Sequence, residues 1–473
     1  MPTKSLATDI YQATTDISMA ITPDVSHKQG LLQKTALAAV GIGLLMLLVA
    51  ALGGGNNLNA AYFLLIALGL LSGGGVLYAV KQYQNRIPGI KNNGVWFGSL
   101  TGRGAVAWTL GIVLTGFYIL LYWYPHLLGL GQTGVANYGL IGLFDPLSYL
   151  LKKQPASQWF VYGVFYTLAI LVMGFKFILK YRDNRYQVLR TLSVMFFQFG
   201  FAFLLPELLL RLNLPYNDFK NMWPLNYYFF FDWNLNQLLS SGHIGLFMLF
   251  WGVLMTLVIS PVLTYFYGKR WYCSWVCGCG GLAETAGDPF RQLSDKSLRA
   301  WQIERWLLYP ILLFAILMTG LVLYTYFTGN PRILFFDSYQ IREWYGFLIG
   351  ATFSGVIGVG FYPLMGSRVW CRFGCPMAAI LGIQQKFFSR FRITVNGGQC
   401  ISCGNCSAYC EMGIDVRWYA QRGQNIVRAS CVGCGICSAV CPRGVLKLEN
   451  GPIKNRTAVH VRRDDVKILS GLD

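Results

Sequence analysis

Cys400-x-x-Cys403-x-x-Cys406-x-x-x-Cys410 is followed by Cys431-x-x-Cys434-x-x-Cys437-x-x-x-Cys441-Pro442, two runs with one spacing. Eight thiols so arranged are the donor set for two 4Fe–4S cubes. Three thiolates must converge on one cube from a single tight loop, and two-residue gaps wrap the backbone around it. Small residues, here Gly404, Gly433 and Gly435, keep that loop close to the inorganic sulfides. The fourth cysteine of each run follows a longer gap and serves the other cube. Cys400, Cys403, Cys406 and Cys441 therefore form one ligand set, and Cys431, Cys434, Cys437 and Cys410 the other. A pair of zinc knuckles is the alternative, but zinc ribbons rarely show this run twice. Pro442 follows the second run, whereas Glu411 stands where the first would carry its proline. The ligand sets are untouched by that change; the local turn, and the potential of the cube that Cys410 ligates, depend on it.

The rest of the chain is of another kind. Of its 473 residues 54% are hydrophobic and only 12% charged, with a mean hydropathy of +0.44. A soluble protein of this size carries about twice that charged fraction, so most of the chain belongs in a membrane with one small soluble module attached. Residues 1–30 are mixed polar and do not read as a cleavable signal peptide. The net charge of +19 is not a nucleic-acid signal, because Lys and Arg fall in the loops between apolar runs. Thirteen cysteines, eight of them cluster ligands, point to a reducing compartment and not to a disulfide framework.

Apolar runs long enough to span lie at roughly 33–52, 61–80, 104–124, 158–179, 188–210, 244–266, 306–327 and 345–365. Each approaches the ~20 residues needed to cross ~30 Å of hydrocarbon, and in lipid each must be a helix. Lys28 and Lys34 precede the first run, and the loop after it is uncharged. Lys81, Arg86, Lys91 and Arg103 follow the second, Lys180, Arg182 and Arg185 the fourth, and Lys269, Arg270, Arg291, Lys296, Arg299 and Arg305 the sixth. With both termini cytoplasmic, every strongly basic loop falls inside, as in a bacterial inner-membrane protein.

The expected fold is thus an all-α polytopic membrane protein of about eight transmembrane helices, carrying a C-terminal α+β two-cluster ferredoxin-like domain. The division is a cytoplasmic N-terminal segment (1–30), a first helix pair (31–100), a six-helix domain (101–390), the ferredoxin domain (391–448) and a tail (449–473). In the N-terminal segment Ile10, Tyr11, Ile17, Met19 and Ile21 line one face of a surface helix or belong to a loose tail. The long outer loops, 125–157 and 211–243, form a docking face or a lid packed on the bundle.

An internal repeat supplies the second motif. Gly268-Lys-Arg270-Trp-Tyr272-Cys273-Ser-Trp-Val-Cys277 ends the sixth helix, and Gly366-Ser-Arg368-Val-Trp370-Cys371-Arg-Phe-Gly-Cys375-Pro376 the eighth. Both read G-x-R-x-aromatic-C-x-x-x-C at the same membrane surface. A four-residue step puts two thiols one helical turn apart, and two such pairs can surround one metal or cluster. Arg270 and Arg368 would offset the thiolate charge. Cys273, Cys277, Cys371 and Cys375 have three readings: a third metal or iron–sulfur site, a reversible dithiol, or inert buried thiols, against which the repetition speaks.

Paired CxxxC motifs after transmembrane helices, followed by a two-cluster module, resemble the membrane polyferredoxin family over roughly residues 240–445. That family includes the ferredoxin-type quinol dehydrogenase subunit of periplasmic nitrate reductase, the membrane regulator of nitrous oxide reduction and an accessory protein of cytochrome oxidase assembly. In it both pairs usually end in Cys-Pro. Here Cys375-Pro376 fits, while Cys277 is followed by Gly278-Cys279-Gly280-Gly281, so Cys279 is a further candidate ligand. The first helices and the flavin-bearing domain of the nitrous-oxide branch lie outside the resemblance.

Smaller candidates are few. Glu207, near the outer end of the fifth helix, is a candidate for proton transfer at a quinol site, against a plain i,i+4 pair with Arg211. His126 and His243 sit at outer helix ends, and without a helix-embedded pair they do not make a haem site. His27 and His460 lie in polar segments, and Thr101-Gly102-Arg103-Gly104 lacks the lysine and spacing of a phosphate loop.

The reading is a membrane-integral electron-transfer component, an oxidoreductase part more than a free-standing enzyme. The resemblance implies exchange with quinone, lipid surroundings, and redox subunits or a larger membrane complex as partners. The alternatives are a metal- or thiol-reducing maturation factor and a wiring subunit. Every secure redox site lies on one side of ~30 Å of hydrocarbon, so an outer partner needs a further cofactor or a second subunit. Anoxically purified protein should hold about eight iron atoms per chain from the C-terminal module. Metal analysis that finds zinc in place of iron and sulfide would overturn the reading.

Overall fold

The computed structural model describes residues 30–53, 59–84, 103–132, 134–333 and 336–452. The Ile10 to Ile21 face, His27, Arg86, Lys91, the Thr101-Gly102 pair and the tail with His460 lie outside the described residues. Seven helices are long and apolar enough to cross a membrane: α1 (Leu31–Ala51), α2 (Ala60–Tyr83), α3 (Ala105–Trp123), α4 (Gln158–Lys180), α5 (Arg185–Arg211), α6 (Gly242–Tyr267) and α7 (Leu298–Thr328). Their outward faces carry exposed apolar side chains such as Leu45, Ile112, Leu257 and Leu317, as lipid requires. Side-chain caps fix several starts, among them Ser157 on Phe160 N, Asn184 on Gln187 N and Ser297 on Ala300 N.

The eighth element departs from expectation. It starts at Ser338, earlier than the apolar run, as α8 (Ser338–Tyr345) and continues as a π-wound stretch, Gly346–Ile357. A turn then separates it from the short helix Tyr362–Met365. Glycines at 346, 350 and 355 let Tyr227, Tyr118 and Tyr122 press close against this stretch, which favours the wider winding.

The first helix pair packs through small residues. An added Cβ on Gly43 would meet Ala67 O and Leu71, and one on Gly74 would meet Ala36 O and Val40. Gly75 sits against Val172 of α4, tying the pair to the rest of the bundle.

The second outer loop folds as a lid. Met222, Phe229 and Phe231 are buried, Trp223 Nε1 donates to Thr319 Oγ1 (2.9 Å), and Trp251 Nε1 of α6 donates to Phe219 O (2.9 Å).

The C-terminal module is closed by two antiparallel strands, β1 (Arg392–Val395) and β2 (Leu446–Glu449), registered Arg392 to Glu449 and Val395 to Leu446. They bracket both cysteine runs. Each run enters a one-turn helix, Asn405–Ala408 or Ile436–Ala439, capped by Gly404 or Gly435.

The module docks by its second run. Tyr186 Oη donates to Gly433 O (2.9 Å), Gln187 Nε2 to Cys434 O (2.9 Å) and Ser274 Oγ to Val432 O (2.9 Å). Gln385 Nε2 donates to Cys431 O (2.7 Å) and Arg428 O (2.8 Å). These donors come from the start of α5, the C-cap of the short helix Arg270–Cys273 that follows α6, and helix α9 (Pro376–Phe388). The module therefore caps one end of the bundle, through the backbone of a cysteine run.

A Gly74→Leu variant should lose about 1–3 kcal/mol of stability, because the obstacle is α1 backbone. Thermal melting should show the loss while iron content stays at the wild-type level. An unchanged melt would mean that the helix pair is not held by this contact.

Candidate redox site

Cys400, Cys403, Cys406 and Cys441 line one cavity, together with Arg417 and Arg443. Cys437 lies within electrostatic reach of Cys434, Cys431 and Cys410, and also of Cys406 in the other set. The fold thus gathers the eight thiols into the two sets that spacing implies and sets them side by side. Burial pushes the Cys431 thiol up to about 11, and those of Cys406 and Cys434 up to about 12. Bare, these thiols hold their protons at neutral pH; only a cationic centre makes a thiolate set stable there. The donor chemistry fits 4Fe–4S cubes.

The repeated motif is reproduced in the backbone. Gly268 (φ 69°, ψ 178°) and Gly366 (φ 96°, ψ 168°) occupy a region essentially closed to other residues. Cys277 N donates to Tyr272 O (2.8 Å), and Cys375 N donates to Trp370 O (2.9 Å). The thiols of Cys375, Cys371, Cys273 and Cys277 lie within electrostatic reach of one another, and so does that of Cys279 with Cys277, Cys371 and Cys375. Both motifs therefore converge on one buried group of five thiols.

Three expectations about this group are corrected. First, the two cysteines of a pair are not one turn apart on a continuous helix. Helix Arg270–Cys273 ends before Cys277, which is extended and N-caps a second helix, Gly278–Thr285; Cys375 likewise N-caps α9. At Cys375 the cause is Pro376, which disfavours helical backbone in the residue before it. Both helix N-termini, with their partial positive charge, meet the thiols.

Second, the group does not lie at the end of the bundle that meets the iron–sulfur module. Gly278–Thr285 runs back along α5, pairing Glu284 with Arg190 and setting Gly281 on Val194 and Gly278 beside Gln198. Gln198 is roughly 20 Å along α5 from the end that meets the iron–sulfur module, at 1.5 Å per residue. Lys220, from the opposite outer loop, is within electrostatic reach of Cys277 and Cys279.

Third, only one of the two arginines faces thiols. Arg368 Nη1 approaches Cys371 Sγ (3.7 Å) and Cys273 O (3.4 Å). Arg270 turns to the module, donating to Asn450 Oδ1 (3.1 Å) and stacking 4.8 Å from the Phe391 ring.

Between the two regions lies a buried charge network that sequence reasoning missed. Arg291 Nη1 donates to Glu411 Oε2 (2.7 Å). Arg368 Nη2 pairs with Glu411 Oε1 (2.9 Å) and with Glu284 Oε1 (2.5 Å), and Arg190 pairs with Glu284. All five side chains are buried. Burial would raise the Glu411 carboxyl, but Arg291, Arg368 and Arg190 overcome it and hold the carboxyl below the usual range. Ligand atoms of Glu284, Glu411 and Cys434 fall within 4.8 Å of one another. They are no vacant cation site, since three guanidiniums already neutralise two carboxylates. The one signal in sequence was the missing proline at 411: the acid replaces it because it is needed as a counterion.

Glu207 is buried far along α5 and pairs with Lys152 of the first outer loop (3.3 Å), while Arg211 donates to Leu150 O (2.6 Å). The i,i+4 pair does not form. His126 and His243 are exposed at the outer ends, His126 with its ring 6.1 Å from that of Tyr124.

Comparison with known proteins falls on these same regions. Residues 399–446 match a 4Fe-4S dicluster domain, and residues 248–297 and 347–394, which hold the repeated motif, each match a 4Fe-4S binding domain. The chain is 28% identical over 173 residues to the protein named Putative electron transport protein YccM of Escherichia coli K12, covering 34% of this chain and 47% of that one. It is 25% identical over 164 residues to Uncharacterized protein MJ0749 of Methanocaldococcus jannaschii, covering 34% of this chain and 59% of that one. The chain thus spans about half the length of the curated relatives it matches. No solved structure matches.

Replacing Glu411 by Gln removes a negative charge beside Cys434. The reduction potential of the centre on Cys410, Cys431, Cys434 and Cys437 should rise, with about 59 mV for each tenfold change in its one-electron equilibrium. A redox titration followed by EPR reads this directly. An unshifted potential would show that the network only ties the module in place.

Proposed function

We propose that this chain is a membrane-integral iron–sulfur electron-transfer protein that exchanges electrons between the quinone pool and a redox partner. The observation that carries the reading is the docking of the second cysteine run. Its backbone is held by side chains of the membrane domain, and one buried Glu–Arg bridge leads from Cys434 to Cys371. A module meant to diffuse away would not bury five charges at its seam.

On this reading Cys400, Cys403, Cys406 and Cys441 hold one cube, and Cys431, Cys434, Cys437 and Cys410 the other. Cys273, Cys277, Cys371 and Cys375 hold a third iron–sulfur centre, a reading supported by the match of both motif regions to a 4Fe-4S binding domain. Bound there, each centre supplies one-electron storage and transfer. The chain's own part is to exclude water, to neutralise thiolate charge with Arg368 and two helix N-termini, and to fix the spacing between sets. The distribution of Lys and Arg supports eight spans with the module on the cytoplasmic side of a bacterial inner membrane. The domain limits are those given by the apolar runs. Quinone rests on the family resemblance, and Glu207, paired with Lys152, is a weak candidate for its proton.

One observation favours a second reading, a thiol- or metal-reducing maturation factor: Cys277 and Cys279, two residues apart and within electrostatic reach, suit a reversible dithiol.

Single Cys→Ser changes separate the two readings. Loss of Cys273, Cys277, Cys371 or Cys375 should each remove nearly all of a third EPR signal and its iron, because ligands act as a set, while Cys279→Ser leaves both. Quinol analogues should reduce the wild-type centres under anoxia. Unaltered metal content in all five variants, with thiol titration showing a reversible disulfide, would favour the maturation factor instead.

A further inference from the structure

A cavity of about 150 Å³ opens where the first turns of α7, helix α9 and the stretch Val427–Ser430 meet. Trp301 is central to it, with the Arg428 guanidinium 4.7 Å and the Arg305 guanidinium 5.2 Å from its ring. Lys386 lies on the same cavity. The one acid there, Glu304, is already bound by Arg372 Nε (2.9 Å). Among the described residues neither Arg305 nor Arg428 makes an ion pair, and two guanidiniums held on one indole repel each other.

The location decides which anion would relieve them. Helix α7 has 31 residues, about 46 Å at 1.5 Å per residue, well beyond ~30 Å of hydrocarbon. The cavity is at the end of α7 beside the iron–sulfur module, where its surplus turns reach the headgroup layer. Arg305 and Tyr309 are shared with an adjoining, more open groove that Gln302, Trp306 and Pro310 complete, with Trp306 exposed at its edge.

We propose that this cavity binds the phosphodiester headgroup of an acidic phospholipid, with its acyl chains along the adjoining groove of Trp306, Tyr309 and Pro310. Arginine suits the two free phosphate oxygens, and basic pockets at helix ends on the basic face of a membrane are anionic-lipid sites. Arg428 is within electrostatic reach of Cys431, and its carbonyl is held by Gln385. The lipid thereby braces the strand that enters the second cysteine run.

The test uses anoxically purified holoprotein incubated with mixed micelles of phosphatidylglycerol and phosphatidylcholine, with retained lipid counted by mass spectrometry. Wild type should retain phosphatidylglycerol selectively. Selectivity should fall about fivefold for each cation removed in Arg305→Gln and Arg428→Gln, and Arg428→Lys should recover most of it. Lys386→Gln, at the exposed rim, should give a similar single step without risk to the fold. Iron content reports whether each variant has kept its module. Equal retention of both lipids overturns the proposal. So does displacement by millimolar inorganic phosphate, which would mean a soluble anion, or by a quinol analogue, which would mean a quinone site.

Discussion

Arg368 holds two carboxylates and faces two cysteines, and much of the structure depends on that one side chain. Its guanidinium joins Glu284 of helix Gly278–Thr285 to Glu411 of the iron–sulfur module, and its other nitrogen looks onto Cys371 and the carbonyl of Cys273. Arg190 and Arg291 complete the set from α5 and from the 3-10 helix Asp288–Leu293. Ion pairs this deep gain little net stability over apolar packing, because desolvation consumes most of the attraction. Their effect is specificity: removing any one leaves a buried charge unmatched, which costs about 3–5 kcal/mol. Four segments distant in sequence thus have a single mutual arrangement that satisfies them.

The repeat shows how two similar sequences take on different work. Both copies share the glycine with positive φ, the same backbone bond closing the C-x-x-x-C loop, and a second cysteine that caps a helix. Paired helix N-termini give the thiol group a fixed positive field from opposite copies. The arginines diverge because the surroundings do. Arg270 emerges beside Tyr186 and Phe391 at the docking seam and stacks there, whereas Arg368 is enclosed with Glu284. An internal repeat halves the information needed for the backbone and leaves the side chains free to differ.

The gathering of the eight C-terminal thiols into two neighbouring groups was legible in the cysteine spacing, because two-residue gaps permit few loop geometries. Seven apolar helices were legible from hydropathy, six of them within a few residues, while α7 begins at Leu298, eight residues before the expected start. The run expected at 345–365 is not among them; its helix begins at Ser338, because Ser338–Tyr345 is polar enough to read as loop, and no sequence signal announces π winding. The depth of the C-x-x-x-C thiols was not legible. Its only trace is Gly278, Gly280 and Gly281, which let the second helix lie against Gln198, the Cys273 carbonyl and Val194. Glycines after a cysteine look like a turn unless the neighbour they accommodate is known. Glu411 was visible as an irregularity, but its meaning required Arg291 and Arg368, far away in sequence.

Depth changes the electrical problem. Thiols grouped about 20 Å inside a bundle have no water to screen them, so whatever charge they carry must be met by the protein itself. The chain supplies it from both sides: Arg368 and two helix ends from the module side, and Lys220, itself held by Asp218 at 2.9 Å, from the outer loop. The outer loop is therefore part of the buried site as well as a cover over it, with Met222 and Phe231 in one apolar core with Cys273, Cys277, Cys371 and Cys375. The site is thus built jointly by the two segments that carry the repeat and by a loop folded against them from elsewhere in the chain, with Cys277 and Cys375 capping helices that begin inside the bundle.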